Sequence, residues 1–321
     1  VLEDLLDDDI VPARAVPGWG EIAAPYRAET MAEEIFSPPL RFAAVPEALA
    51  RRRTARAVVL PVPYDATTDW RPGQREGPLA IIEASQHLEY YDVELGREVT
   101  EVGIHTLPPV APLMGDPQGM VRRVARAVAP LARSGKLVAL LGGEHTVTVG
   151  AVTAFKARFP DLSVLHLDAH ADLRDEYLGT RYSHATVLRR VLEVCPAVAV
   201  GVRSLSTEEA RLVEGGGVKV WFGTAWDNAQ VVAALSPRVY VTVDLDVFDP
   251  SIMAAVGTPE PGGISYEQAL GLLRAVAQAR QVVGFDVVEL CPREGPRACA
   301  YLTAKLVYKL IGYATSGGVG R

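Results

Sequence analysis

Short apolar runs alternate with amphipathic segments along most of the chain. Nearly every position in these runs is apolar, which is typical of strands buried on both faces. The runs lie at 57–62, 137–141, 162–167, 197–202, 218–222, 239–243 and 282–288. Between them, apolar residues recur at helical spacing, which predicts helices at 77–86, 120–132, 147–159, 185–194, 206–214, 266–279 and 298–311. This alternation predicts an α/β fold, a three-layer αβα sandwich with a mostly parallel central sheet.

The first 54 residues follow a different pattern. They contain acidic clusters and scattered prolines, and they lack the alternation of strand and helix. We expect residues 1–54 to form an irregular N-terminal extension with one short helix around 28–35. The domain that carries the function is predicted to span residues 55–321.

Carboxylates and histidines follow three of the predicted strands. Asp168-Ala169-His170-Ala171-Asp172 comes directly after the run at 162–167. In an extended chain the first, third and fifth of these residues point to one side. Asp244-Leu245-Asp246 and His145 follow two further strands. Because parallel α/β sheets bind ligands at the carboxyl ends of their strands, we expect one site that holds two divalent metal ions.

The ligand types indicate which metals and which chemistry to expect. Aspartate and histidine without cysteine suit borderline cations, and a carboxylate-rich set favours Mn²⁺ over Fe²⁺, Co²⁺, Ni²⁺ or Zn²⁺. Paired ions lower the pKa of a shared water, so the predicted reaction is metal-assisted hydrolysis. His166 lies inside an apolar strand. It alternates in phase with Asp168, which would also suit a residue that supports the ligands without binding the metal, but we interpret it as a core histidine with satisfied hydrogen bonds.

Bulk composition excludes several classes of partner. The chain has 321 residues, a net charge of −7 and no dense stripe of lysine and arginine, which disfavours nucleic-acid binding. No apolar run approaches the ~20 residues of a membrane span. The three cysteines, Cys195, Cys291 and Cys299, form no paired framework. Isolated thiols of this kind are typical of a cytoplasmic protein.

Four motifs stand out at or near the ends of the predicted strands. They are Gly142-Gly143-Glu144-His145-Thr146, Asp168-Ala169-His170-Ala171-Asp172, Ser183-His184-Ala185-Thr186 and Asp244-Leu245-Asp246-Val247-Phe248-Asp249-Pro250. Together they resemble those of the ureohydrolase family of arginases and agmatinases. The likeness covers about residues 58–311, and the glycine- and proline-containing motifs at 70–81 and 257–263 resemble the agmatinase branch.

The resemblance implies two Mn²⁺ ions and a role for each matching residue. One ion would be held by His145, Asp168, Asp172 and Asp244, and the other by His170, Asp168, Asp244 and Asp246. A metal-bridging hydroxide would attack the guanidinium carbon of agmatine, releasing urea and putrescine. Glu289 would bind the guanidinium, and His184 would carry a proton to the leaving amine. A homo-oligomer, trimer or hexamer, is expected.

The identity of the guanidine is open at this stage. The loop at 173–182 lacks the asparagine of arginases, and its Asp175 and Glu176 would favour a distal amine. Alternatively these acids are solvated, with Arg174 and Arg181 as counter-ions. Arginines facing the pocket would suit an acid such as 4-guanidinobutyrate. Aminopropylagmatine, guanidine and arginine are further alternatives, as are a catalytically silent regulatory homologue and a different hydrolysis such as deacetylation.

Two loops depart from the family pattern. Ala185 stands where agmatinases usually have glycine, and residues 253–256 replace a glycine-containing approach to Gly257. Because these loops are expected to border the substrate, they affect substrate identity rather than hydrolysis.

Overall fold

The computed structural model describes residues 39–316. The predicted helix around 28–35 lies outside the described residues. The chain from Arg41 onward forms one compact unit. Phe42 and Ala43 are fully buried in it, and their N–H groups donate to the hydroxyls of Thr106 and Ser85. Packing of the core therefore begins before residue 55, the predicted start of the domain.

An eight-stranded parallel sheet forms the centre of this unit. Its strand order is β4-β1-β5-β10-β9-β6-β7-β8. Every neighbouring pair is parallel. The strands are β1 (Ala57–Val62), β4 (Ile104–Thr106), β5 (Leu137–Gly142), β6 (Leu162–Leu167), β7 (Ala197–Val202), β8 (Lys219–Phe222), β9 (Arg238–Asp244) and β10 (Gln281–Val288). A separate antiparallel pair joins β2 (Tyr91–Asp92) and β3 (Arg97–Glu98).

Helices connect the strands and cover both faces of the sheet. They are α1 (Glu47–Ala50), α2 (Gly77–Ser85), α3 (Pro117–Arg133), α4 (Val147–Arg158), α5 (Val187–Leu192), α6 (Thr207–Glu214), α7 (Asn228–Ala233), α8 (Tyr266–Ala279) and α9 (Arg297–Thr315). Ser265 caps α8 by accepting the N–H of Gln268. Among residues 39–316, no helix combines the length and the apolar character that crossing a membrane requires.

The hydrophobic core is divided into two layers by the sheet. Val59, Leu141 and Phe285 face one layer, which contains residues of α2, α8 and α9. Val58 and Leu140 face the other layer, which contains residues of α3, α4 and α5. Successive strand residues therefore bury on opposite sides, which is why each run is apolar throughout. The predicted three-layer αβα sandwich is confirmed.

The order of the strands creates a crevice at their carboxyl ends. β6 is the next strand after β5 along the chain, yet in the sheet β10 and β9 lie between them. The loops after β5 and β6 lead to helices on one face of the sheet, whereas those after β9 and β10 lead to α8 and α9 on the other. Ligands bind in open α/β sheets where the loops diverge in this way. The ends of these four strands carry the predicted metal ligands and Glu289, whereas His184 lies just before α5.

Candidate functional site

His145, at the end of β5, lies among three carboxylates. Its Nδ1 atom is 3.1 Å from Asp168 Oδ2, 3.1 Å from Asp244 Oδ2 and 3.3 Å from Asp172 Oδ2. All four side chains are buried, and His145 is fully excluded from solvent. The four residues predicted to share one ion therefore lie together in the structure.

A second group surrounds His170, on the outer side of Asp168. His170 Nδ1 lies 2.9 Å from Asp246 Oδ2 and 3.7 Å from Asp168 Oδ1. Asp168 therefore faces both groups, one with each carboxylate oxygen. Asp244 connects them differently, because its Oδ1 accepts the N–H of Asp246 at 2.9 Å.

Two residues of the site adopt a backbone conformation that L-amino acids rarely take. Asp172 has a φ of 51° and Glu289 a φ of 68°. The left-handed region costs energy for a residue with a Cβ atom and is found mainly where function or packing requires it. In both residues this turn follows a strand end and directs a carboxylate into the crevice.

Gly143 allows the first loop of the site to approach β1 closely. A Cβ atom built on Gly143 would lie 1.9 Å from the carbonyl oxygen of Tyr64. That carbonyl accepts the N–H of Glu144 at 2.7 Å. Glycine is therefore required here for the loop that carries His145 to dock against the segment after β1.

Negative charge is concentrated in the buried part of the site. Burial, and then the charges of Asp246 and Asp168, raise the pKa of Asp244 well above its usual range. Burial, and then the charge of Glu144, likewise raise the pKa of Glu289. Carboxylates crowded in this way need a compensating cation.

The unpaired atoms of the site fit metal ions. His145 Nδ1 and Asp168 Oδ2 are buried and make no hydrogen bond. Two sets of ligand atoms each converge closely enough to hold one ion. The sets are His145, His166, Asp168 and Asp172 in one group, and Asp168, His170 and Asp246 in the other. The buried cluster is thus suited to binding two metal ions.

His166 does not have the satisfied hydrogen bonds that the sequence led us to expect. Its ring stacks on His145, with centroids 4.9 Å apart. Its Nε2 atom lies 3.0 Å from Asp168 Oδ2, but neither ring nitrogen has a partner with hydrogen-bond geometry. The expectation failed because residue 166 is in phase with Asp168 on β6 and therefore points toward the same carboxylate.

Glu289 and His184 face the same cavity of about 310 Å³ as the metal-suited cluster. Glu289 Oε1 accepts the backbone N–H of His145 at 2.6 Å, so the carboxylate is tied to the first loop of the cluster. His184 begins a short turn whose capping box joins Ser183 and Thr186. Its N–H donates to the Thr67 hydroxyl at 3.3 Å.

Glu144 and Arg203 hold the loops of the site, and the sequence analysis assigned a role to neither. Glu144 accepts the N–H of Thr67 at 2.7 Å and bonds the hydroxyls of Thr67 and Thr146. Arg203 donates to the carbonyl oxygens of Asp246, at 2.7 Å, and Glu260, at 2.8 Å. The position of Glu144 next to His145 could have indicated that it supports the site, whereas nothing in the sequence indicated a role for Arg203.

The acids of the loop at 173–182 do not enter the cavity. Asp175 pairs with Arg181 and with the buried Arg190 instead. Glu176 is exposed and, like Asp175, does not line the cavity. The expectation that they select a distal amine is therefore wrong, because neighbouring arginines hold Asp175 away. Arg181 is a counter-ion of Asp175, as expected from the alternative interpretation in which these acids are solvated.

Other residues of the loops after β6 and β9 do line the cavity. Arg174 and Tyr177 come from the loop after β6, and Ala185 lies beside His184. Gly257 and Thr258 contribute from the loop after β9. Of the positions that depart from the family pattern, Ala185 therefore borders the space where a substrate would lie, whereas residues 253–256 do not line the cavity.

A model of the Arginase family matches residues 55–312. This chain belongs to the arginase family. It is 43% identical over 266 residues to the N(1)-aminopropylagmatine ureohydrolase of Thermus thermophilus, with 80% of this chain and 90% of that protein covered. It is 39% identical over 282 residues to the protein of the same name from Synechocystis sp., with 83% and 92% covered.

A solved structure supports the same placement. The agmatine ureohydrolase of Thermoplasma volcanium superposes with a TM-score of 0.80 at 30% identity, covering 89% of this chain and 97% of that one. The resemblance to the agmatinase branch of the ureohydrolases is thus confirmed. The chain is a hydrolase of this family, and its buried histidines and aspartates are suited to binding two metal ions.

Proposed function

We propose that this protein hydrolyses the guanidinium group of N(1)-aminopropylagmatine, releasing urea and the corresponding polyamine. The observation that supports it most directly is the common cavity shared by Glu289, His184 and the two metal-suited groups. The two relatives at 43% and 39% identity carry that substrate in their names. Agmatine, our leading expectation from the sequence, is less well supported and becomes the second candidate.

Two divalent ions would occupy the buried cluster. One would be held by His145, Asp168, Asp172 and Asp244, and the other by His170, Asp168, Asp244 and Asp246. Such a pair supplies a hydroxide nucleophile at neutral pH and stabilises the charge that develops during attack. We propose Mn²⁺, with Ni²⁺ and Co²⁺ as alternatives, because Asp/His sets accept several cations.

The remaining residues of the cavity handle the substrate itself. Glu289 would accept two N–H groups of the guanidinium, since a carboxylate matches that planar fork. Its bond to the His145 N–H fixes it relative to the metal cluster. His184 would protonate the leaving amine, because an imidazole can both accept and donate a proton. Its partial exposure, 22%, gives it access to solvent protons.

A urea-release assay with Mn²⁺-loaded protein tests the proposal. The panel is aminopropylagmatine, agmatine, arginine, 4-guanidinobutyrate and guanidine. We expect the highest kcat/KM for aminopropylagmatine and little turnover of arginine. Higher kcat/KM for agmatine would reassign the substrate within the branch, and no urea from any member would favour a catalytically silent homologue. Arg174 in the cavity wall makes 4-guanidinobutyrate the acidic alternative to check.

Two variants separate the roles of the cavity residues. Glu289→Gln keeps the size of the side chain but loses the charge that pairs with a guanidinium, so kcat/KM should fall at least ~100-fold while bound metal stays the same. His145→Ala should lose metal and activity together, measured by elemental analysis of dialysed protein. Normal activity in either variant would contradict its assignment.

A further inference from the structure

The cavity contains one carboxylate that neither the metal cluster nor the guanidinium requires. The described carboxylates that line it are Asp69, Asp172, Asp244, Asp246, Glu209 and Glu289. Glu209 is 4% exposed, and its two oxygens accept the backbone N–H groups of Leu173 and Ser206. Asp69 is the one carboxylate of these six that has no role assigned so far. It lies in the loop after β1, next to the exposed Trp70.

Asp69 has one engaged oxygen and one available oxygen. Its Oδ2 accepts the hydroxyl of Tyr177 at 2.5 Å. Its Oδ1 makes no hydrogen bond among residues 39–316, and its nearest basic atom is His184 Nε2, at 3.9 Å. No lysine or arginine nitrogen of the described chain lies within 4.0 Å of it. A carboxylate that has no lysine or arginine partner at the mouth of a cavity is available to bind a cationic group of a ligand.

The loop that carries Asp69 is fixed in place by the metal-side loop. Thr67, two residues earlier, is bonded through its N–H and hydroxyl to Glu144, the residue before His145. From the opposite wall, Tyr177 holds the Asp69 side chain itself, and its ring meets His184 edge-on with centroids 5.6 Å apart. The carboxylate is therefore preorganised, so binding a ligand costs little ordering entropy.

We infer that Asp69 is the specificity residue that binds an ammonium group in the tail of the substrate. The inference rests on the proposed function, because it requires a guanidine whose other end is a cationic amine. Asp69 Oδ1 would accept an ammonium N–H while Oδ2 keeps its bond to Tyr177. The indole of Trp70, 60% exposed at the rim, offers apolar surface to the methylene groups of the tail.

A competing role for Asp69 follows from the same distances. Because Asp69 Oδ1 lies 3.9 Å from His184 Nε2, the carboxylate could instead orient the proposed proton carrier. The two roles predict different kinetics. A tail receptor affects only guanidines that carry a distal charge, whereas an orienting residue lowers kcat for every guanidine alike.

Asp69→Asn separates these roles, with substrates that differ only in the tail. Butylguanidine has the same alkyl chain as agmatine but no distal amine, and it is compared by turnover and by its competitive inhibition constant. We expect kcat/KM for aminopropylagmatine and agmatine to fall ~10-fold or more in Asp69→Asn, mostly through KM, because a charge-assisted hydrogen bond is lost. Both constants for butylguanidine should stay within about twofold of wild type.

Glu176→Gln is the matched control, since it removes the same charge from an exposed position outside the cavity. It should leave all these constants unchanged. A second variant, Tyr177→Phe, should reproduce part of the Asp69→Asn effect on charged tails only. Equal losses for charged and uncharged guanidines would overturn the inference in favour of an orienting role. Wild-type protein that releases no urea and binds none of these guanidines would instead refute the proposed function.

Discussion

Replacing Thr242 by valine tests how the site fixes the ring of His145. The Thr242 hydroxyl lies 2.9 Å from His145 Nε2, and both residues are fully buried. When Nδ1 binds a metal ion, Nε2 carries the proton and donates to the Thr242 hydroxyl. Ligand histidines commonly use their second nitrogen in this way, which sets the tautomer and the ring angle. Valine keeps the shape of the side chain and removes the hydroxyl, which also lies 3.4 Å from that of Thr148.

The magnitude follows from leaving that N–H unpaired in a dry site. An unsatisfied buried donor costs about 1–3 kcal/mol. The metal-free protein should therefore unfold at a Tm several degrees below that of the wild type. Loss of an outer hydrogen bond to a ligand histidine weakens metal binding by roughly 10- to 100-fold. Titration calorimetry with Mn²⁺ on dialysed protein measures this affinity directly, without reference to activity.

Thr303→Val provides the comparison. Thr303 is also fully buried, and its hydroxyl donates to the carbonyl of Cys299 within α9. That carbonyl keeps its helical bond when the hydroxyl is removed, so the Tm should change little and metal affinity not at all. If Thr242→Val bound Mn²⁺ as tightly as Thr303→Val, the Nε2 bond would not be what positions His145.

Three further predictions concern the support around the site and the fold. Arg203→Met should lower metal affinity and Tm, because the carbonyl of Asp246 loses its donor; calorimetry measures both. Lys309→Met should reduce the free energy of unfolding by about 3 kcal/mol in urea titrations, since Asp92 is left buried without its cation at 2.9 Å. In the wild type, burial raises the pKa of Glu94, but the bonds to Lys309 and neighbouring groups outweigh it and lower the pKa to about 2. The pKa of Asp92 is also lowered. A lowered folded pKa stabilises the protein above the unfolded value, so stability should fall between about pH 4.5 and pH 2. This acid dependence should flatten in Lys309→Met, and unchanged pH curves would contradict the assignment.

The strands and the metal cluster were predictable for the same physical reason. A strand buried on both faces is apolar at most positions, so β5, β6, β9 and β10 stand out in the sequence. A polar residue that ends such a run can only lie at the sheet edge, which placed Asp168 and Asp244 together before any distance was known. Short elements at the periphery carry no such constraint. The edge strand β4 and the helix α7 were missed because three and six residues show too little periodicity.

The partners of individual loop residues were not predictable. Tyr177 and Asp69 are 108 positions apart and meet only because two loops close over the same edge. Asp175 is conspicuous as a charge in the sequence, but its partner Arg190 lies on α5, behind the loop. Local sequence reveals that a loop is charged, whereas tertiary packing decides which of its charges face the cavity.

The division between strand ends and loops separates hydrolysis from substrate choice in this fold. The metal-suited residues follow three central strands, β5, β6 and β9, whose register and two-sided packing hold them, and their displacement would disturb the core. Asp69 comes from the loop after β1 and Tyr177 from the loop after β6, so substitutions there change the mouth of the cavity without moving Asp168. Loops of this kind tolerate sequence change better than the strands they connect. Proteins named for aminopropylagmatine and for agmatine can therefore share one scaffold. What distinguishes their substrates should be sought at the positions equivalent to Asp69, Trp70 and Tyr177 rather than among the aspartates of the cluster.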